Sequence, residues 1–168
     1  MKIGVLSDTH LNRVNPVLEG ILDDLFADCD LLVHAGDMVS LPVYRFLQQR
    51  PIEAVQGNMD EWALRKELPE KRIITLGNFR IGVMHGWGSP LGLEGRLRRE
   101  FSGIDILIYG HSHLPASHWS DGIFFFNPGS VSGSRGKPSV GLLHLEQVLR
   151  GEIIELTKKT AEKKPEWM

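Results

Sequence analysis

Seven side chains able to bind a metal ion share one position in the chain, each closely following a short apolar run. Asp8 and His10 follow Ile3-Gly4-Val5-Leu6, Asp37 follows Leu31 to His34, and Asn58 follows Ile52 to Val55. His85 follows Arg80 to Met84, and His111 with His113 follow Ile104 to Tyr109. Carboxylate, imidazole and amide donors without sulfur suit Mn²⁺, Fe, Co²⁺, Ni²⁺ or Zn²⁺ better than the all-oxygen shells of Ca²⁺ or Mg²⁺. Seven groups exceed the needs of one tetrahedral zinc, whereas a shared carboxylate lets them serve two ions. Two ions roughly 3.5–4 Å apart form a clamp for in-line displacement at phosphorus. Asp8 and His10 are two residues apart, as are His111 and His113, so extended backbone would point both members of each pair to one side. Gly36, Gly57, Gly86 and Gly110 stand beside the candidates, where the chain must turn tightly against a bound group.

The apolar runs are strand-sized: Lys2 to Leu6, Leu31 to His34, Ile52 to Val55, Arg72 to Leu76, Arg80 to Met84 and Ile104 to Tyr109. Helical spacing runs from Pro16 to Phe26, with Asn15 as N-cap and Pro16 in the first turn, and again from Pro42 to Gln49 and from Leu91 to Phe101. Strand and helix alternate first, which predicts a parallel sheet with right-handed crossovers. Later, Gly77-Asn78 and Ser120-Asp121-Gly122 read as hairpin turns, and Ser139 to Leu145 with Glu152 to Thr157 as an antiparallel pair around Gly151. These predict a second, more antiparallel sheet. The expected fold is α/β, a four-layer αββα sandwich of two mixed β-sheets flanked by helices. Residues 1–157 form one domain and 158–168 a polar C-terminal tail. All seven candidates fall at strand C-terminal ends, where loops converge in open α/β sheets.

A chain of 168 residues, 42% of them hydrophobic, suits one core. The formal net charge of −2 carries no basic footprint, so a nucleic-acid partner is not expected. Cys29 is the only cysteine, which excludes an internal disulfide and predicts a small buried apolar side chain. The apolar start is too short for a signal peptide and no stretch approaches a membrane span, so a cytoplasmic protein is expected.

Other polar residues read as structural. His118 and His144 belong to no paired motif, and His34 is either a hydrogen-bonding support of the site or a plain buried histidine. Asn127-Pro128-Gly129-Ser130 has the composition of a tight turn, Arg135 that of a solvated loop, and Arg96, Arg98 and Arg99 that of an exposed mixed-charge helix face.

Asp8-Thr9-His10, Gly36-Asp37, Gly57-Asn58-Met59-Asp60, His85-Gly86 and Gly110-His111-Ser112-His113 resemble, in order, the five motifs of the calcineurin-like metallophosphoesterases. The small size and Asn127-Pro128-Gly129-Ser130 resemble the small bacterial and archaeal phosphodiesterase branch. The resemblance implies two divalent transition-metal ions, Mn²⁺ placed first and Ni, Fe, Co or Zn as alternatives. Asp8, His10 and His113 would hold one ion, Asn58, His85 and His111 the other, and Asp37 would bridge. Asp37, Asn58, His111 and His113 would carry catalysis, with a dimetal-bridging hydroxide attacking the phosphorus of a small or nucleotide-like phosphodiester. Alternatives are a phosphomonoesterase and a non-catalytic interaction scaffold of the same fold; dimers are common in the family. Met59 departs from the pattern, standing where many members carry a His that protonates the leaving oxygen, which a thioether cannot do. Without that His, Asp60 reads as a turn-stabilising residue.

Overall fold

The computed structural model describes residues 1–157, so the expected tail at 158–168 lies outside the described residues. Among the described residues ten strands form two five-stranded sheets. The first contains β1 (Lys2–Leu6), β2 (Leu31–His34), β3 (Ile52–Ala54), β9 (Ser139–His144) and β10 (Arg150–Glu155) in the order β10-β9-β1-β2-β3. The second contains β4 (Lys71–Leu76), β5 (Phe79–Met84), β6 (Ile106–Tyr109), β7 (Ala116–Ser120) and β8 (Ile123–Asn127) in the order β4-β5-β6-β8-β7.

Alternation along the strands divides the core. Ile3 and Val5 of β1 and Ile106 and Ile108 of β6 pack with Val33, Ile81, Val83, Phe124, Phe126 and Leu143 between the sheets. The opposite face of the first sheet, Leu6, Leu32, Ala54 and Leu142, receives three helices. These are α1 (Pro16–Gly20, continuing as a π-helical turn over Ile21–Leu25), α2 (Leu41–Leu47) and α3 (Trp62–Glu67). Asn15 caps α1 as expected, its Oδ1 accepting from the Leu18 N–H at 2.9 Å. A Cβ on Gly4 would lie 2.6 Å from the Phe26 ring, so that glycine opens the space the phenylalanine fills. On the far side of the second sheet, α4 (Leu93–Arg98) lays Leu93 and Leu97 onto Leu107, Tyr109 and Phe125. The result is helices, sheet, sheet, helix: the expected α/β sandwich.

Three details differ from expectation. The C-terminal hairpin joins the first sheet, β9 running antiparallel to β1, while β5, β6 and β8 of the second sheet are parallel. Gly151 is not in the turn but within β10, opposite Leu143, where a Cβ would lie 2.7 Å from Ser117 Oγ and 2.8 Å from Phe126. It marks close approach between the sheets. Helix α3 carries too short an apolar pattern to stand out, since Leu64 is its one buried residue.

Candidate functional site

The loops leaving β1, β2, β3, β5 and β6 meet at one end of the seam between the sheets. Backbone bonds continue the first sheet beyond its strands, the Asp8 N–H donating to Gly36 O at 3.0 Å and the His10 N–H to Asp37 O at 3.1 Å. In the second sheet the Gly110 N–H likewise donates to His85 O at 3.1 Å, and across the seam the His111 N–H donates to Asp8 Oδ2 at 3.1 Å. The pairs Asp8/His10 and His111/His113 are not extended. All four residues have left-handed backbone, with φ of 52°, 49°, 66° and 60°, and Asp37 has 56°. Non-glycine residues in this region cost of order 1–3 kcal/mol each and persist where surroundings over-determine them, most often at functional sites.

These loops bring five of the expected residues into one cluster. Asp8, His10 and His113 offer ligand atoms within 4.8 Å of one another, and so do Asp8, Asp37 and His85. His113 Nε2 lies 3.0 Å from Asp8 Oδ1, and Asp37 Oδ2 lies 3.6 Å from His10 Nε2 and 3.3 Å from His85 Nε2. Both carboxylates thus stand between imidazoles, Asp8 at least as centrally as Asp37. The His111 ring meets His85 edge-on at 5.3 Å, but its Nε2–H donates to Gly88 O at 2.8 Å. Asn58 is exposed and lines a pocket together with His85. His111 thus stands at the edge of the cluster, and Asn58 lies next to His85 at the pocket wall.

Burial and charge fit a cation. Asp8 is fully buried, and Asp37 and His85 nearly so. Burial alone would raise the Asp8 carboxyl, yet the imidazoles of His10 and His113 beside it outweigh that and hold it far below the usual carboxylate range. Asp37 is also depressed, burial being outweighed by His85 and by the Met59 N–H, which donates to Oδ1 at 2.7 Å. His10 is raised by the Asp8 carboxylate facing it; His85 is raised because Asp37 and Asp8 overcome the cost of burial. The His85 Nδ1–H donates to Ala35 O at 2.7 Å, the backbone anchoring that orients a metal-binding imidazole. Its Nε2 and Asp8 Oδ1 are buried with no hydrogen-bond partner among the described residues. Buried polar atoms are rarely left unpaired, and two aimed into one acidic cluster fit a divalent ion.

Several supports carry little sequence signal. Ser7 donates to Asp8 Oδ2 at 2.5 Å, and Ser134 bonds His113 Nδ1. Asp60 accepts from the Val39 N–H at 2.6 Å and the Gly57 N–H at 2.7 Å, tying two site loops together, so it stabilises turns as expected. Asn127-Pro128-Gly129-Ser130 is a turn, with Gly129 at φ 84°, and also a brace: Asn127 Nδ2 donates to Gly110 O and Ser130 Oγ to Asp8 O. The His34 Nδ1 accepts from the Gly36 N–H at 3.2 Å, leaving Nε2–H for Thr9 Oγ1 at 3.3 Å; it is a fully buried support.

Arg65 of α3 donates to the carbonyls of Asn58 and Asp60, and Arg96 of α4 to those of Trp87, Ser89 and Leu91. Arg96 was expected on an exposed face; it is instead turned inward to clamp a loop. Arg98 pairs with Asp121 at 2.6 Å, and Arg99 and Arg135 are exposed, as expected. His118 and His144 lie beside Glu94 and Glu152, away from the cluster. Cys29 is half-buried, not buried, with its thiol pushed up to about 11 by burial.

Two facing mixed sheets with an acidic and imidazole cluster at their strand ends define a class of metal-binding hydrolase. Residues 1–148 match the calcineurin-like phosphoesterase superfamily domain, and the chain belongs to that superfamily. A protein of Methanothermobacter thermautotrophicus named "Probable metallophosphoesterase" is 38% identical over 161 residues, 92% of each chain. The structure resembles a solved archaeal phosphodiesterase with TM-score 0.75 and 25% identity, covering 92% of this chain and 100% of that one. It also resembles the zinc complex of Vps29 from Entamoeba histolytica, with TM-score 0.69 and 26% identity over 92% and 99%. Among the described residues no helix is long and apolar enough to cross a membrane.

Proposed function

We propose that this chain is a cytoplasmic phosphodiesterase acting on a small or nucleotide-like diester with two divalent transition-metal ions, Mn²⁺ placed first. Asp8, His10 and His113 would hold one, Asn58, His85 and His111 the other, with Asp37 between them. The supporting observation is the pair of unpartnered buried atoms, Asp8 Oδ1 and His85 Nε2, 3.9 Å apart beside Asp37. Divalent ions there would supply Lewis acidity, lowering the pKa of water toward about 7 and offsetting charge that grows on phosphoryl oxygens. The chain supplies the rest: histidines oriented by backbone and serine, carboxylates kept ionised by their neighbours, and a buried setting in which charge acts strongly.

A diester is favoured over a monoester because a second phosphate charge calls for free cations, and Arg65 and Arg96, both beside the site, are engaged by carbonyls. Metal-stripped protein given Mn²⁺, Ni²⁺, Zn²⁺ or Mg²⁺ in turn should hydrolyse bis-p-nitrophenyl phosphate faster than p-nitrophenyl phosphate, and Asp37→Asn should abolish turnover. Faster monoester hydrolysis would reverse the substrate assignment. Failure with every metal would favour a protein-interaction role, a reading supported by the likeness to Vps29 and by the exposed Met59, Trp62, Trp87, Leu91 and Leu114 around the site.

A further inference from the structure

A cavity of about 320 Å³ opens beside His85, lined by Gln56, Gly57, Asn58, Arg65, Glu70, Met84, Gly86 and Trp87. Its size is at the lower end of the roughly 300–1,000 Å³ typical of small-molecule sites, and it joins one aromatic wall to a few polar groups, the usual composition of such a site. Trp87 is that wall and is 43% exposed. An indole this open on a loop presents a large apolar face, with a polar N–H at its edge, to whatever enters the cavity. Trp62 is more exposed, but the Lys66 ammonium sits 3.7 Å from its ring centroid and occupies a face. Trp87 has no such partner among the described residues.

The backbone of the loop that carries the ring is held firmly. Gly86 and Gly88 on either side have φ of 109° and 76°, which a side chain would resist. Arg96 takes the carbonyls of Trp87, Ser89 and Leu91, and His111 takes that of Gly88, so four consecutive-region carbonyls are pinned. A loop whose backbone is fixed before a ligand arrives loses little entropy on binding. Gln56 is likewise held, its amide donating to Leu68 O at 2.8 Å.

We propose that this cavity is the subsite for a nucleobase-sized aromatic group of the substrate, stacked on Trp87, with the scissile phosphate at the His85 end. The inference rests on the diesterase reading and narrows it to esters with a nucleoside on one side. Stacking of a base on one aromatic side chain corresponds to roughly five- to hundredfold in affinity.

Adenosine has no phosphate and needs no metal, so it tests the subsite alone. Titrated into metal-free protein and followed by NMR, it should shift the Trp87 indole N–H saturably and leave those of Trp62 and Trp119 in place, whereas ribose should shift none. In the metal-loaded enzyme, Trp87→Ala should raise KM for a dinucleotide at least about fivefold with kcat little changed, and Trp87→Phe should restore most of it. An unmoved Trp87 signal, or adenosine binding that survives in Trp87→Ala, overturns the subsite even if diesters are hydrolysed. A saturable Trp87 shift without turnover on any ester overturns the diesterase reading and leaves the subsite standing.

Discussion

His113 Nε2 lies 3.0 Å from Asp8 Oδ1, joining the loop after β6 in the second sheet to the loop after β1 in the first. The site is thus built on the seam. Asp8→Asn replaces a carboxylate oxygen with an amide donor in a cluster of histidines. It should weaken Mn²⁺ binding by more than the roughly 10–100-fold that changes to outer supports cost. Calorimetric titration of metal-stripped protein checks this, and an affinity equal to wild type would remove Asp8 from the site.

Arg96 holds the Leu91 carbonyl at 2.9 Å and that of Trp87 at 3.0 Å. Arg96→Ala should cost about 1–2 kcal/mol in chemical denaturation and speed amide exchange at residues 87–91. Arg96→Lys keeps the charge but not the planar fork, so it should behave more like Ala than like wild type.

Burial lowers the His34 imidazole from 6.5 to about 3. The folded state favours the neutral ring, so this stabilisation is complete above the unfolded value of 6.5 and is lost as pH falls toward 3. The depressed Asp8 and Asp37 act at lower pH, near and below their unfolded value of 3.8, and the raised His10 and His85 act above 6.5. Between about pH 4.5 and 6, metal-free protein should therefore lose up to about 1.4 kcal/mol per pH unit from His34. His34→Gln should flatten that slope in denaturant titrations; an unchanged slope would place its origin elsewhere.

Met59 donates its N–H to Asp37 but its side chain is 57% exposed and cannot give a proton. Among a series of aryl and alkyl diesters, rate should fall steeply as leaving-group pKa rises. Met59→His should recover rate on the poorest leaving groups, within the roughly 10²–10⁴-fold that general acids supply. A flat dependence in the native enzyme would mean that another group donates the proton.

What the residues determined alone was a set of candidate donors and their placement after the strands. Asp8, His10, Asp37, His85 and His113 were legible because chemistry-bearing side chains followed apolar runs too regularly for chance, and because buried strands such as Leu31–His34 and Ile106–Tyr109 are apolar throughout. The tertiary structure decided which sheet each strand joined. β9 pairs with β1 from the other end of the chain, a choice no local pattern encodes. It also decided that the paired candidates sit in left-handed turns and not extended backbone, since only the packed loops hold φ near 50–66° at Asp8, His10, His111 and His113. Arg65 and Arg96 look the same in sequence whether they face water or a loop. Their role comes from where short helices set the guanidinium groups, close enough to carbonyls to replace water.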